Sequence, residues 1–222
     1  MTVSFPARVA ASLAALLPDY PRVPLCVAWS GGLDSTALLA ALAPRGARRQ
    51  RLRAVHVDHG LSAHSAAWAN HCRGIARELH VPLTVLRASV ERPRGASLEA
   101  AAREARYRAL GRALVQDEVL LTAQHADDQL ETVLLQLLRG AGVPGLAAMP
   151  AVAPFGRGRL VRPLLGVERR EIEAWARARK LEWVEDDTNR DEQLDRNYLR
   201  LRVVPALRTR WPSAARTAAR TA

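Results

Sequence analysis

Two short stretches of this chain carry residue types that could do phosphate and acid–base chemistry. The first is Ser30-Gly31-Gly32-Leu33-Asp34-Ser35, set between an apolar run at 23–29 and an Ala/Leu run at 36–42. A strand, a glycine turn and a helix in that order present backbone N–H groups to an anion at a helix N-terminus. Adjacent glycines let the backbone approach the anion and adopt dihedrals closed to other residues. Ser30 and Ser35 add hydroxyl donors. No lysine follows the glycines, so the turn is not a Walker A loop, and its spacing is not G-x-G-x-x-G. The plain alternative is a turn that binds nothing. The second stretch is HADDQLET, residues 125–132. Asp128 and Glu131 are three apart and share one helix face in the first turn. With His125 and Asp127 they could hold a cation or an amine. The same spacing also suits a capping box, with Asp128 as N-cap and Glu131 at N3.

The elements that must position these residues follow from periodicity and turn signals. Strands are predicted at 23–29, 54–58, 82–87 and 119–122, with a last short strand at 183–185. Residues 152–163 read as a hairpin around Gly156 and Gly158. Helices are predicted at 62–79 with Ser62 as N-cap, at 97–115 with Ser97 as N-cap, and at 168–180 with Ile172 and Trp175 inward. An N-terminal helix places Val9, Leu13, Leu16 and Leu17 at helical spacing before Pro18. Gly140, Gly142 and Gly145 make a loop that is a candidate lid. Pro205 kinks or ends the last long helix. His56, Asp58 and His59 close the second strand, and open α/β sheets bind ligands at the carboxyl ends of their strands. For His59 a turn-making role is the alternative.

The chain has 222 residues, 49% of them hydrophobic, and a formal net charge of +11. That length suits one large domain or one domain with an appendage. Of 33 basic residues only Lys180 is lysine. A protein this basic is suited to a polyanion, although the Ala/Arg bias also reads as compositional. Cys26 and Cys72 form no C-x-x-C, so neither a zinc ribbon nor a redox pair is indicated, and a reducing compartment fits. No apolar stretch reaches membrane-span length. After Tyr198 the charged residues are Arg200, Arg202, Arg208, Arg210, Arg216 and Arg220, with no acid. These could form a phosphate-binding surface or a frayed terminus.

The SGGLDS turn resembles the PP-loop of the ATP pyrophosphatase superfamily, matching S-G-G-x-D-S. VHVDHGL at 55–61, the E-x-x-x-R-x-x-R-Y run at 99–107, HADDQLET followed by VLLQLLRGAG, and EDDTN with the later R-N-x-x-R (Asp186, Asp187, Thr188, Asn189, Arg196, Asn197, Arg200) are similar to motifs of tRNA(Ile)-lysidine synthetase. The resemblance covers about residues 23–207. It implies an α/β fold: a doubly wound, mostly parallel five-stranded sheet with helices on both faces, adenine nucleotide α-hydrolase-like, with a short helical C-terminal extension. The implied organisation is an N-terminal helix (1–22), a catalytic domain (23–207) and a basic tail (208–222), without the family's usual C-terminal tRNA-binding domains. The implied activity is ATP-dependent ligation of lysine to C2 of the wobble cytidine of a CAU-anticodon tRNA(Ile), through an adenylated tRNA.

On that resemblance ATP lies on Ser30, Gly31, Gly32, Leu33, Asp34, Ser35 and His56, with Mg²⁺ on Asp34. Asp128 and Glu131 are assigned to lysine. Asp34, Arg106, Asp128, Glu131 and Arg196 are the catalytic set, with Arg106 and Arg196 stabilising transferred charge. For Arg106 an exposed helix charge is the alternative. The partners are the tRNA and free L-lysine, with a second copy of the chain as a further candidate and no membrane; the location implied is cytoplasmic. Two other readings stand: another PP-loop tRNA-modifying enzyme such as a 2-thiolase, or a non-catalytic nucleotide-binding protein.

Overall fold

Leu25, Cys26 and Val27 are almost wholly buried and form the centre of the sheet. The computed structural model describes residues 3–43, 51–60, 65–91, 94–95, 97–185 and 190–222. In chain order the elements are α1 (Phe5–Leu16), β1 (Leu25–Ala28), α2 (Leu33–Leu42), β2 (Leu52–Asp58), α3 (Ser65–Glu78), β3 (Leu83–Arg87), α4 (Leu98–Ala113), β4 (Val119–Leu121), α5 (Ala126–Leu138), α6 (Val143–Leu146), β5 (Val152–Phe155), β6 (Gly158–Val161), α7 (Arg169–Ala178), α8 (Asp195–Tyr198), a π turn (Leu199–Val203), α9 (Val204–Arg210) and α10 (Ala214–Thr221). The sheet order is β3-β2-β1-β4-β6-β5. The pairs from β3 through β6 are parallel, and β5 pairs antiparallel with β6 at the edge.

Alternation along the strands divides the core in two, because successive strand side chains point to opposite faces. Leu25, Val27, Ala54, Val119, Leu121 and Val161 face one cluster, shared with Leu13 of α1, Leu38 and Leu39 of α2, Cys72 and Ile75 of α3, and Ile172 of α7. Cys26, Val55, Leu120 and Leu160 face the other, shared with Leu110 and Leu114 and, at its margin, Tyr107 and Phe155. Helices therefore cover both faces, as the sequence implied. A third cluster joins Ala126 and Leu130 of α5 to Val204 and Ala215.

Two features differ from the sequence reading. The fifth parallel strand is β6, the second arm of the 152–163 hairpin, so the sheet has six strands. Residues 183–185 form no strand; instead the Val184 N–H donates to the Gly31 carbonyl at 2.9 Å, tying the segment to the turn after β1. A single backbone bond to a turn cannot propagate a ladder, whereas β6 pairs along Arg159, Leu160 and Val161 with β4. Pro205 is accommodated just after a π turn rather than ending the helical run. Ser97 caps α4 as expected, accepting from the Ala100 N–H at 3.1 Å. The expected cap at Ser62 and the 186–189 part of the closing motif lie outside the described residues.

The order of strands fixes where a ligand can sit. The chain steps outward from β1 to β2 to β3, then returns to place β4 on the other side of β1. The crevice at the carboxyl ends of β1 and β4 is thus a topological switch point, the usual ligand position in such sheets. SGGLDS follows β1 and HADDQLET follows β4, so the two stretches with chemistry in them meet there.

Candidate active site

The turn after β1 is held in shape by its own side chains. Ser30 and Ser35 hydroxyls are 3.0 Å apart, the Ser30 N–H donates to Ser35 Oγ at 3.2 Å, and Ser35 Oγ donates to the Gly32 carbonyl at 3.1 Å. Gly31 has φ +86°, and a Cβ there would stand 3.0 Å from Cys72 Sγ, so both dihedral and space call for glycine. Gly32 is the N-cap of α2 and offers no side-chain cap to the first turn. The N–H groups at that end are open to an anion, and the helix dipole favours one. Beneath the turn His56 is buried, with Nδ1 2.9 Å from the Trp29 carbonyl. The ring therefore braces the end of β1. Trp29 Nε1 in turn donates to Thr36 Oγ1 at 3.0 Å, linking strand to helix.

Across the crevice, His125 rather than Asp128 is the N-cap of α5. Its N–H donates to Asp128 Oδ2 at 3.0 Å, which places Asp128 at the N3 position of a capping box. The ring of His125 lies among carboxylates: Nε2 is 3.6 Å from Asp34 and 3.4 Å from Asp128, and Nδ1 is 3.7 Å from Asp127. Burial pulls its pKa down, but Asp128, Asp34 and Asp127 together outweigh that and raise it to about 9. An imidazolium cannot accept a hydrogen bond, and the approach of the Asp128 N–H to Nδ1 is long at 3.4 Å. The charged ring is the better description.

Asp128 and Glu131 share one face, as their spacing predicts, and both are already paired. Glu131 Oε1 accepts from Arg200 Nε at 2.7 Å, and Oε2 accepts from Arg196 Nε and Arg200 Nη2, each at 2.8 Å. Asp128 Oδ1 lies 3.3 Å from Arg196 Nη2 and 3.2 Å from Arg200 Nη2. Burial pushes the Asp128 carboxyl upward, but His125, Arg196 and Arg200 prevail and hold it below the usual range. Glu131 is 1% exposed and accepts three short guanidinium bonds, whereas the bonds of Asp128 to the guanidiniums are long. The acids are thus not two open carboxylates: a lysine amine would compete with guanidinium at either one, and far more easily at Asp128.

Asp34 bridges the two halves. Its side chain is partly exposed at the start of α2, and Oδ1 has no hydrogen-bond partner, with Arg169 Nε 3.9 Å away. An unsatisfied carboxylate oxygen beside an anion-binding turn suits Mg²⁺, which is commonly held by one or two carboxylates plus substrate phosphates. No group of three side chains able to cage a metal occurs among the described residues, so the ATP phosphates would supply the other ligands.

Arg196 stands at the crevice as expected, but Arg106 does not join the acids. Its electrostatic neighbours are Arg103, Tyr107, Glu99 and, at the end of β2, His59. Burial and then Arg103 lower its pKa, and burial and then Arg106 lower that of His59. Asp127 belongs to the cluster, as its place in HADDQLET suggested, whereas Arg200 and Arg208, expected on a basic surface, are drawn in to pair with its acids. Arg200 had a signal, its i+4 spacing from Arg196. The pairing of Arg208 with Asp127 spans 81 residues and had none. The terminal arginines are also largely engaged. Arg208 and Arg216 pair with the buried Glu168, Arg216 also with Glu171, and Arg202 with Glu192. Residues 208–222 are therefore not a free basic tail, since α10 packs on α5 through Ala215.

The family model described as a PP-loop domain matches residues 6–207, nearly the whole chain. The chain belongs to the PP-loop family. The SGGLDS turn lies within the matched residues. Among curated relatives, tRNA(Ile)-lysidine synthase of Pseudomonas aeruginosa is 53% identical over 212 residues, covering 95% of this chain and 48% of the relative. The protein of that name from Escherichia coli O157:H7 is 52% identical, covering 89% of this chain and 46% of the relative. The chain spans about half the length of these relatives. Among solved structures, the U34-tRNA thiolase of Methanococcus maripaludis with its 4Fe-4S cluster aligns with TM-score 0.77 at 13% identity, over 96% of this chain and 75% of that one. At that identity the likeness is one of PP-loop fold.

Proposed function

We propose that this PP-loop chain carries out the two chemical steps of tRNA(Ile)-lysidine synthesis. In the first, O2 of the wobble cytidine of a CAU-anticodon tRNA attacks the α-phosphorus of ATP. The bond to the β-phosphate breaks and pyrophosphate leaves. In the second, the side-chain amine of free L-lysine attacks C2, the C2–O bond breaks and AMP leaves. The observation that carries this reading is the meeting of an anion-binding turn with a charged acid–arginine cluster at one switch point, with Asp34 reaching 3.6 Å from His125.

The open N–H groups of α2, with Ser30 and Ser35, would hold the pyrophosphate being expelled. Mg²⁺, when bound through Asp34, would offset the charge on the phosphates. Arg196 and Arg200, fixed by Glu131, are aimed beside Asp128 and would stabilise the charge transferred to the departing AMP. Asp128 is assigned to the lysine amine, which at pKa ~10.4 arrives protonated, is attracted to a carboxylate, and must give up a proton before its lone pair can attack C2. Glu131 then serves lysine through the arginines it holds. Arg106, beside His59, is assigned to the nucleic-acid side of the site. A thiolase reading calls for reactive or paired cysteines. Cys26 and Cys72 lie on opposite faces of the sheet, with burial pushing their thiols up to about 12 and about 11. Free thiols fit a reducing, cytoplasmic location.

The test uses ATP labelled at the α-phosphate. Without lysine, label should pass to CAU-anticodon tRNA, and lysine should then release it as AMP. Asp34→Ala should abolish the first transfer while the fold persists, because the side chain is partly exposed. Transfer of label to lysine rather than to tRNA, or undiminished transfer in the variant, would contradict the reading.

A further inference from the structure

Three guanidiniums and a phenol meet away from the acid cluster. Arg103 Nη2 donates to the Tyr107 hydroxyl at 3.3 Å, and the Arg103 guanidinium carbon lies 4.8 Å from the Tyr107 ring centre. Arg106 is adjacent on α4. From the sheet side comes Arg162, the residue after β6. Arg162 is 8% exposed, and its Nη1 donates to the Pro150 carbonyl at 2.6 Å. Its Nε is buried and has no partner. The groups that bear on it are Tyr107 and Arg103, so its head points at the α4 pair.

Among the described residues none of these three arginines is ion-paired with a carboxylate, and the acid that bears on Arg106 is Glu99, at a distance. This contrasts with the other side of the crevice, where Arg196, Arg200, Arg208 and Arg216 all have acids. A guanidinium cannot shed its proton in a protein, and a buried charge without a counter-charge is costly. Like charges gathered without acids are tolerated where an anion completes them. The opposed burial of Arg162 and exposure of Arg103 give such an anion a buried anchor and an open approach.

We infer that Arg103, Tyr107 and Arg162 form a phosphate site, distinct from the PP-loop, that takes a backbone phosphodiester of the RNA substrate. The shared chemistry would also admit a phosphate of ATP, but the turn after β1 already provides open N–H donors for those. Guanidinium forks and a tyrosine hydroxyl are common donors to nucleic-acid phosphates, where they set register without reading sequence. The inference rests on the assignment of tRNA as substrate.

The test measures binding of CAU-anticodon tRNA and, separately, of ATP to the 222-residue chain and to Arg103→Met and Arg162→Met. Arg103 is exposed, so its replacement keeps the test valid if the Arg162 variant fails to fold. Each variant that folds should bind tRNA about five- to tenfold more weakly near physiological salt. The slope of log affinity against log salt should be shallower by about 0.7–0.9 for each phosphate no longer neutralised. ATP affinity should be unchanged. Unaltered tRNA affinity and slope in Arg103→Met overturn the inference. Loss of ATP affinity with tRNA binding intact overturns it in favour of an ATP subsite. An unaltered chain that binds no tRNA overturns the substrate assignment itself, a result separable from the other two.

Discussion

Asp128 has two duties, and a conservative change separates them. It accepts from the His125 N–H as a capping residue, and it faces His125, Arg196 and Arg200 as a charge. The amide oxygen of Asn can accept the same His125 N–H from the N3 position, so Asp128→Asn should leave the helix start in place and remove only the charge. We expect lysine transfer to slow at least about tenfold while adenylation changes little, so that adenylated tRNA accumulates. Unchanged lysine transfer in the variant would return Asp128 to a capping role alone. His125 gives a pH signature. Its folded pKa is raised from an ordinary 6.5 to about 9, so the folded state binds the extra proton. That contribution is complete below pH ~6.5 and is lost as pH rises through about 9, on the order of 3 kcal/mol in all. Denaturant unfolding across pH 6.5–9.5 should show stability falling, and His125→Gln should flatten the fall. A parallel pH dependence in the two proteins would contradict the charged-ring description.

At the scale of elements, the strand–turn–helix unit around the PP-loop is the most constrained part of the fold. Gly31→Ala would place a Cβ 3.0 Å from Cys72 Sγ at a φ of +86°. A cost of about 1–3 kcal/mol is expected from such a backbone position, with ATP binding weakened because the turn must shift. Denaturant melts and ATP titration check this, and an unperturbed variant would mean the turn is slack. This unit was legible in the sequence because its causes are local: glycines, short serine bonds and a switch from strand to helix composition. The HADDQLET acids were legible as a charged face for the same reason. Their partners were not. Arg196 and Arg200 meet Glu131 only because α8 and the π turn run along α5, and a crossing of elements leaves no local mark. Residues 183–185 looked like a strand because an extended strap and a strand share the same alternation. The expected β-hairpin formed, but whether one of its arms enters the main sheet is not a local property.

Over the whole molecule, charge is less free than a total of +11 suggests. Arg208 and Arg216 close on Glu168, which is 0% exposed, and on Asp127 and Glu171, joining the last two helices to α5 and α7. Removing residues 208–222 would take Arg208 from Asp127 and Arg216 from Glu168; leaving a buried acid unpaired costs about 3–5 kcal/mol, and the loss here is smaller because Glu168 keeps Arg170 and Asp127 keeps the Arg169 N–H. The shortened chain should melt well below the full one, and an unchanged melting temperature would show the segment to be an appendage. No described helix is long and apolar enough to cross a membrane. Exposed arginines remain on several elements, among them Arg73 and Arg77 on α3, Arg103 and Arg112 on α4, and Arg210 on α9.

The central claim is that one crevice activates cytidine with ATP and then delivers lysine to it. The most direct measurement is the yield of lysine-bearing wobble cytidine, read by nucleoside mass spectrometry alongside AMP and pyrophosphate, when the chain is given ATP, lysine and CAU-anticodon tRNA. One AMP and one pyrophosphate are expected per lysine attached, and no lysine is expected to be attached without ATP. Pyrophosphate release that neither depends on tRNA nor ends in a modified cytidine would contradict it.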